Sequence, residues 1–433
     1  MTGKMVEMKL TKSYLEFPEL PADDDIIDAL IHDPPDVRWR WIRALLRMED
    51  ARRLAEFRRL FQERVEKIKT PPHWKIILRL QLVMQSIERP VRVKGYVVVK
   101  GKGAFTADEL AAVQYDPSRL PPAGMESKDW PGVEFHVHPK MPDLKFLSDM
   151  KKAGVRHAVI LATDTDPEDL DRPEIVEKLK NAHDGSAHSQ TVPFAQLLKT
   201  IRSGLYSRTH VTDQDVADWV ADYPDILTGF GSVNLSKSGE YVEEKLKRIR
   251  QLGLKGIKLL PYSQFFNPAE NENMDLLFDY CQRTGSIVLT HSGCAAGAFE
   301  IAELSRDSHP ALWERVALKY PDVPIVLAHF ASYSTHQPGI WFEDALALMK
   351  KCPNVFADIS AAHYLLTDGG TVAQIRQTTG FDQVLFATDY PGPLYYGSTL
   401  SQLVKNIKGN LLLSEAEQQA ILADNGQRLL GLA

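Results

Sequence analysis

From Gly132 onward the chain alternates between two hydrophobic rhythms. Short apolar runs fall at 132–138, 156–162, 226–234, 255–260, 286–291, 324–329, 354–359 and 383–388. Such runs, rich in Val, Ile and Leu, predict strands. Between them apolar residues recur at three- and four-residue spacing. That spacing predicts amphipathic helices at 143–153, 212–222, 240–252, 272–283, 310–319, 342–351 and 372–378. Two more are predicted after the last strand, at 398–407 and 414–423. Eight strand–helix units over about 300 residues imply an α/β fold, a (β/α)8 TIM barrel. A doubly wound open sheet would usually follow its first strand with a Gly-rich phosphate turn. Here that place holds His136-Val137-His138-Pro139.

The first 130 residues read differently, as a mainly helical extension and linker preceding a barrel at 131–433. Trp41, Leu45, Leu46, Leu54, Phe57, Leu60 and Phe61 carry helical spacing through 36–69, and Pro71-Pro72 ends it. A second helix is predicted at 73–87, a short strand at 92–99 and a linker at 117–131. Residues 36–92 hold fifteen Lys and Arg against seven acids. That excess reads as a solvated face or a docking or dimer-forming segment rather than a polyanion site. Within the barrel, the connection from Asp164 to His210 exceeds normal loop lengths. It contains a predicted helix at 173–181, then His183, Gly185 and His188, and reads as a lid with the two histidines on its surface.

Composition narrows the class. The 433 residues are 44% hydrophobic, enough for a large core. A net charge of -6 gives no whole-chain case for nucleic acid or membrane binding. Cys281, Cys294 and Cys352 form neither a disulfide framework nor a zinc-finger pattern. Lys4, Glu7, Lys9, Lys12 and Glu16 interrupt any signal-like opening, and no apolar stretch approaches a membrane span. A cytoplasmic location is expected.

The chemistry starts at His136 and His138. At i and i+2 of an extended segment, two imidazoles face one side and can share an ion. His291, His329 and Asp389 each end a later apolar run. In a barrel those positions converge on the C-terminal mouth. Neutral imidazoles and a carboxylate suit one divalent ion: Zn2+ first, with Mn2+ or Fe2+ as alternatives. Such an ion lowers the pKa of bound water from about 15.7 to about 7. An aspartate beside it can move the proton.

From Gly132 to the end the chain resembles the amidohydrolase superfamily, in the branch related to aminocarboxymuconate-semialdehyde decarboxylase and γ-resorcylate decarboxylase. Phe135-His136-Val137-His138-Pro139, Gly253-Leu254-Lys255-Gly256-Ile257-Lys258-Leu259-Leu260-Pro261, Leu289-Thr290-His291-Ser292-Gly293 and Val326-Leu327-Ala328-His329 carry the likeness. It continues through Pro353–Ser360, Leu385–Pro391 and Asp424–Gly431. The resemblance implies that His136, His138, His291 and Asp389 hold one metal, with His329 a catalytic histidine outside its ligand set. Many relatives carry histidine where this chain has Leu260, which implies a more apolar pocket on that side. Lys258 sits about where binuclear members place a metal-bridging carboxylated lysine, though its context matches the mononuclear branch. It is otherwise a cation for a substrate carboxylate, or a strand-end lysine with its head in solvent.

Tyr262, Trp341 and His363 join Lys258 as expected substrate contacts. Gln264, Phe265, Phe266, Tyr333, His336, Tyr364, Tyr390, Tyr395 and Tyr396 also follow predicted strands at the mouth. Aromatic rings there suit a planar substrate. Asp358 reads either as a partner orienting a ligand histidine or as a turn cap, and Cys294 as a bystander. The leading expectation is a metal-dependent hydrolase of a small carbonyl compound, with Asp389 shuttling the proton and His329 steadying negative charge. A non-oxidative decarboxylase on the same groups is the alternative, and a non-catalytic scaffold the third. Expected partners are a small-molecule substrate and a second copy of the chain, a dimer in the simplest case.

Overall fold

The computed structural model describes residues 59–60, 132–138, 144–190, 192–208, 211–295, 299–334, 337–391 and 399–432. Arg59 and Leu60 are helical, inside the helix predicted at 36–69. The elements predicted at 73–87, 92–99 and 117–131 lie outside the described residues.

Eight parallel strands follow one another in chain order around a barrel. They are β1 (Gly132–Val137), β2 (Val155–Leu161), β3 (Leu227–Ser232), β4 (Gly256–Leu259), β5 (Ile287–Thr290), β6 (Ile325–Leu327), β7 (Val355–Asp358) and β8 (Val384–Leu385). Parallel neighbours need long crossovers. The helices α1 (Leu144–Ala153), α2 (Pro173–Asp184), α3 (Phe194–Arg208), α4 (Asp213–Asp222), α5 (Gly239–Gln251), α6 (Met274–Thr284), α7 (Glu314–Lys319), α8 (Phe342–Lys351) and α9 (Gly369–Thr378) lie in those crossovers, and α10 (Leu400–Lys408) follows β8. The end of the chain is helical from Glu415 to Leu430, with a π-helical stretch at Ala420–Asp424.

Strand residues alternate between two apolar layers, as a period of two requires. Phe135, Val159, Leu161, Phe230, Leu289 and Val326 belong to the cluster inside the barrel. Ala158, Ile160, Ile257, Val288, Ile325 and Ala357 pack outward with the helices. Gly231 makes one of those outward contacts close: a Cβ there would lie 2.5 Å from Ile249 of α5.

Except at β2, the ladders are shorter than the predicted runs, most of all at 383–388, where only Val384–Leu385 is strand. The run stays apolar because Phe386, Ala387 and Thr388 remain buried as they leave the ladder. Between β1 and β8, backbone bonds run from Phe135 N–H to Phe386 O (3.0 Å), Asp389 N–H to His136 O (2.9 Å) and His138 N–H to Tyr390 O (2.8 Å).

The long connection after β2 carries two helices, one of them unforeseen. Phe194, Leu197, Leu198, Ile201 and Leu205 have helical spacing and form one face of α3. Leu197, Ile201 and Leu205 join Leu170, Ile175 and Leu179 in a cluster that includes Leu260, Tyr262, Phe265 and Phe299. The connection thus packs on the loops after β4 and β5. His183 is buried rather than on the surface, its Nε2 2.8 Å from Val192 O.

Candidate metal centre

His136 leaves β1 with its ring sealed inside. Its Nδ1 lies 2.9 Å from Asp358 Oδ2, so Nδ1–H donates to the carboxylate. That fixes the tautomer and leaves Nε2 as a lone pair. His136 Nε2 is 3.1 Å from His138 Nε2. Asp389 Oδ1 lies 3.7 Å from the first and 3.8 Å from the second. All three atoms fall within 4.8 Å of one another. Two nitrogens about 2.05 Å from a tetrahedral ion would stand about 3.3 Å apart. The donor set and its spacing therefore fit a divalent ion.

His291 stands one step away, with Nδ1 3.2 Å from His329 Nε2 and Nε2 3.1 Å from Cys294 O. The carbonyl requires the proton on Nε2, so His291 Nδ1 is the lone pair. His329 Nδ1 lies 3.0 Å from Ser360 O and 2.9 Å from Ser360 Oγ, which places its proton there and turns Nε2 into an acceptor too. Two lone pairs thus face a 3.2 Å gap, which a shared proton or a cation would relieve. The His136 and His329 rings are 5.1 Å apart, so both pairs belong to one mouth.

Asp358 holds both histidines. Its Oδ2 accepts from His136, while Oδ1 accepts from His329 N–H at 3.0 Å, Ser360 N–H at 2.9 Å and the Ser360 hydroxyl. His329, Phe330 and Ala331 are all left-handed (φ 60°, 50° and 53°), as is Asp389 (φ 60°). Each such residue costs about 1–2 kcal/mol, and the Asp358 bond to His329 N–H is one restraint that holds the turn. Ser332 N–H to His329 O (2.8 Å) is another. Gly293 lets this turn approach, since a Cβ there would lie 3.0 Å from Tyr333 N and O.

Lys258 is fully buried, so its head does not reach solvent. Its Nζ lies 3.1 Å from His136 Nε2. Burial lowers its pKa to about 8, against the opposing pull of Asp389 and Asp358. Burial, then Lys258 and His329, hold His136 well below the usual imidazole range. Burial brings His329 down to about 4. Both rings are neutral, as ligands and proton acceptors require.

The remaining expected contacts are scattered. Tyr262 meets His291 edge-on at 4.6 Å between ring centroids. His363 donates from Nε2 to Ala387 O at 2.8 Å, and burial lowers its pKa to about 4. Trp341 instead lies 4.9 Å from the ring of His309. Tyr333 lies 5.7 Å from His329, ring to ring, and the Tyr364 hydroxyl donates to Ser332 O. His336, Tyr395 and Tyr396 lie outside the described residues. Ser360 was not singled out in the sequence; its place two residues beyond Asp358 was the available signal.

An eight-stranded parallel barrel with imidazoles and a carboxylate gathered at the strand ends defines a class, the barrel hydrolases and lyases that work through a divalent ion. The chain belongs to the amidohydrolase family, whose family model matches residues 133–432. No curated protein matches the sequence. Among solved structures, it is similar to an uncharacterised TIM-barrel protein from Bordetella bronchiseptica, at 17% identity and a TM-score of 0.50, covering 69% of this chain and 98% of that one. A probable 2-pyrone-4,6-dicarboxylic acid hydrolase from Acinetobacter baumannii matches at 12% identity and TM-score 0.45, covering 70% and 100%. A 2,6-dihydroxybenzoate decarboxylase from Rhizobium matches at 14% identity and TM-score 0.42, covering 70% and 98%.

Proposed function

We propose that this amidohydrolase is a metal-dependent hydrolase acting on a small, planar or aromatic carbonyl compound. His136 and His138 would hold the ion with Asp389, with His291 the expected fourth ligand. A divalent ion there supplies Lewis acidity, easing deprotonation of water and polarising a carbonyl. The Asp389 side chain is 32% exposed while His136 is 1% exposed, and this contrast carries the reading. The carboxylate is the most exposed of the three, ahead of His138 at 17%, and stands where water and substrate arrive. Asp389 accepts the proton of the attacking water and returns it to the leaving group. The His291–His329 pair, when it carries a proton, steadies the charge that develops on the carbonyl oxygen. Tyr262 and the apolar lid face exclude water beside them.

Decarboxylation is the second reading, and buried Lys258 favours it. An ammonium 3.1 Å from His136 Nε2 gives a substrate carboxylate an ionic partner at the cluster. In that case Asp389 protonates the carbon that loses carbon dioxide. Zn2+ as the ion, with Mn2+ or Fe2+ as alternatives, a dimeric state and a cytoplasmic setting belong to the same proposal. Among the described residues no helix is long and apolar enough to cross a membrane.

The deciding experiment offers metal-loaded protein lactones, esters and amides beside a panel of hydroxybenzoates. Hydrolysis without carbon dioxide supports the first reading. Release of carbon dioxide from a hydroxybenzoate, with no hydrolysis, replaces it with the second.

A further inference from the structure

Glu134 is fully buried two residues before His136, in a strand that is buried along its whole length. Its Oε1 accepts from two backbone donors, His136 N–H at 3.0 Å and Thr388 N–H at 2.8 Å. Those donors lie on β1 and on the segment after β8, and each adjoins an expected ligand: His136 itself, and Asp389 after Thr388. The backbone seam around them is irregular. On its other edge, β1 also shifts register against β2 between Glu134 and Val137. β8 is only Val384–Leu385, and beyond it β1 meets the chain at the isolated Val137–Tyr390 bridge. Two N–H groups at the seam are thus satisfied by one side-chain oxygen. A buried N–H left without an acceptor costs free energy comparable to a lost hydrogen bond. With the oxygen removed, the two segments would move to find new partners.

We infer that Glu134 is a positioning residue that sets the ion-binding geometry by latching the His136 and Thr388 backbones together across the β1–β8 seam. The inference rests on the metal-centre reading above and deepens it. Glu134 does not touch the ion. It fixes the distance between the His136–His138 pair and Asp389, which approach to 3.7 and 3.8 Å. The latch needs an acceptor at this place and does not need a charge. Glutamine keeps the acceptor, leucine fills the volume without it, and aspartate draws it back by one methylene.

Zn2+ titrations of the metal-free full-length chain test this, read beside thermal midpoints of the same samples. Outer partners of ligands typically change metal affinity 10–100-fold. Glu134→Gln should bind Zn2+ within about threefold of the unsubstituted chain, and Glu134→Leu should bind about 10–100-fold more weakly. If Glu134→Leu does not fold, Glu134→Asp carries the same test, with weaker Zn2+ binding expected. A merely structural glutamate would lower the thermal midpoint and leave the Zn2+ dissociation constant unchanged. That result overturns the inference, as does Glu134→Gln binding as weakly as Glu134→Leu. Failure of the unsubstituted chain to bind Zn2+ would instead overturn the metal-centre reading itself.

Discussion

The inside of the barrel and its mouth are built from the same strands by opposite rules. Inside, Phe135, Leu161, Phe230, Leu289 and Val326 are apolar and fill volume. Their energetics are non-directional, so what matters is size and patterning. At the mouth, Glu134, His136, Lys258, His329, Asp358 and Ser360 are buried polar groups. There every atom needs a partner at a given angle, and left-handed backbone at His329 and Asp389 aims the side chains. One layer supplies stability and tolerates apolar exchange that conserves volume. The other spends stability on aim.

Breaking the mouth should therefore cost function far more than fold, and breaking the interior the reverse. The largest effect is expected at Asp389→Asn. A lost proton shuttle costs about 10²–10⁴ in rate, so kcat should fall by that order with the circular dichroism spectrum unchanged. Full turnover in this variant would remove Asp389 from the mechanism. Asp358→Asn comes next. An amide turned to donate toward His136 Nδ1 would favour the wrong tautomer. Metal affinity should fall about 10–100-fold, measured by titration. Unchanged affinity would mean that Asp358 only caps its turn.

These two layers were not equally legible in the sequence. Short apolar runs and the helical spacing between them were enough for the eight strands and the barrel. His136, His138 and Asp389 were visible because each ends such a run. Asp358 also ends such a run and was legible as a partner orienting a ligand histidine or as a turn cap, but Ser360 had no comparable signal, since its Oγ reaches His136 Nδ1 across 224 residues at 3.2 Å. Hydrogen bonds between residues so remote leave no periodicity. The left-handed turn at His329–Ala331 was hidden for another reason: no glycine marks it. Helix α3 was legible in principle from the helical spacing of Phe194, Leu197, Ile201 and Leu205.

The interior offers the converse test. Phe230 is fully buried and meets Phe135 edge-on at 6.1 Å. Phe230→Ala should cost about 3–5 kcal/mol of stability by denaturant unfolding, with Zn2+ affinity of the folded protein retained. A loss of affinity as large as that of Asp358→Asn would erase the contrast between the layers. The smallest effect is expected at the surface. Arg376 donates to both carboxylate oxygens of Glu417, at 2.6 and 2.8 Å, and holds that acid's pKa at about 2. A depressed acid stabilises the fold above its unfolded pKa of about 4.5 and loses that contribution as pH falls toward 2. Arg376→Ala should cost under about 1 kcal/mol at pH 7, with the difference vanishing in acid.

The central claim is that side chains remote in sequence share one ion at the barrel mouth. A crystal structure of the full chain with Zn2+, using anomalous scattering to place the metal, tests it most directly. The account predicts one ion about 2.0–2.2 Å from His136 Nε2, His138 Nε2 and an Asp389 carboxylate oxygen. An ion bound elsewhere, or those three atoms left without one at saturating Zn2+, would contradict it.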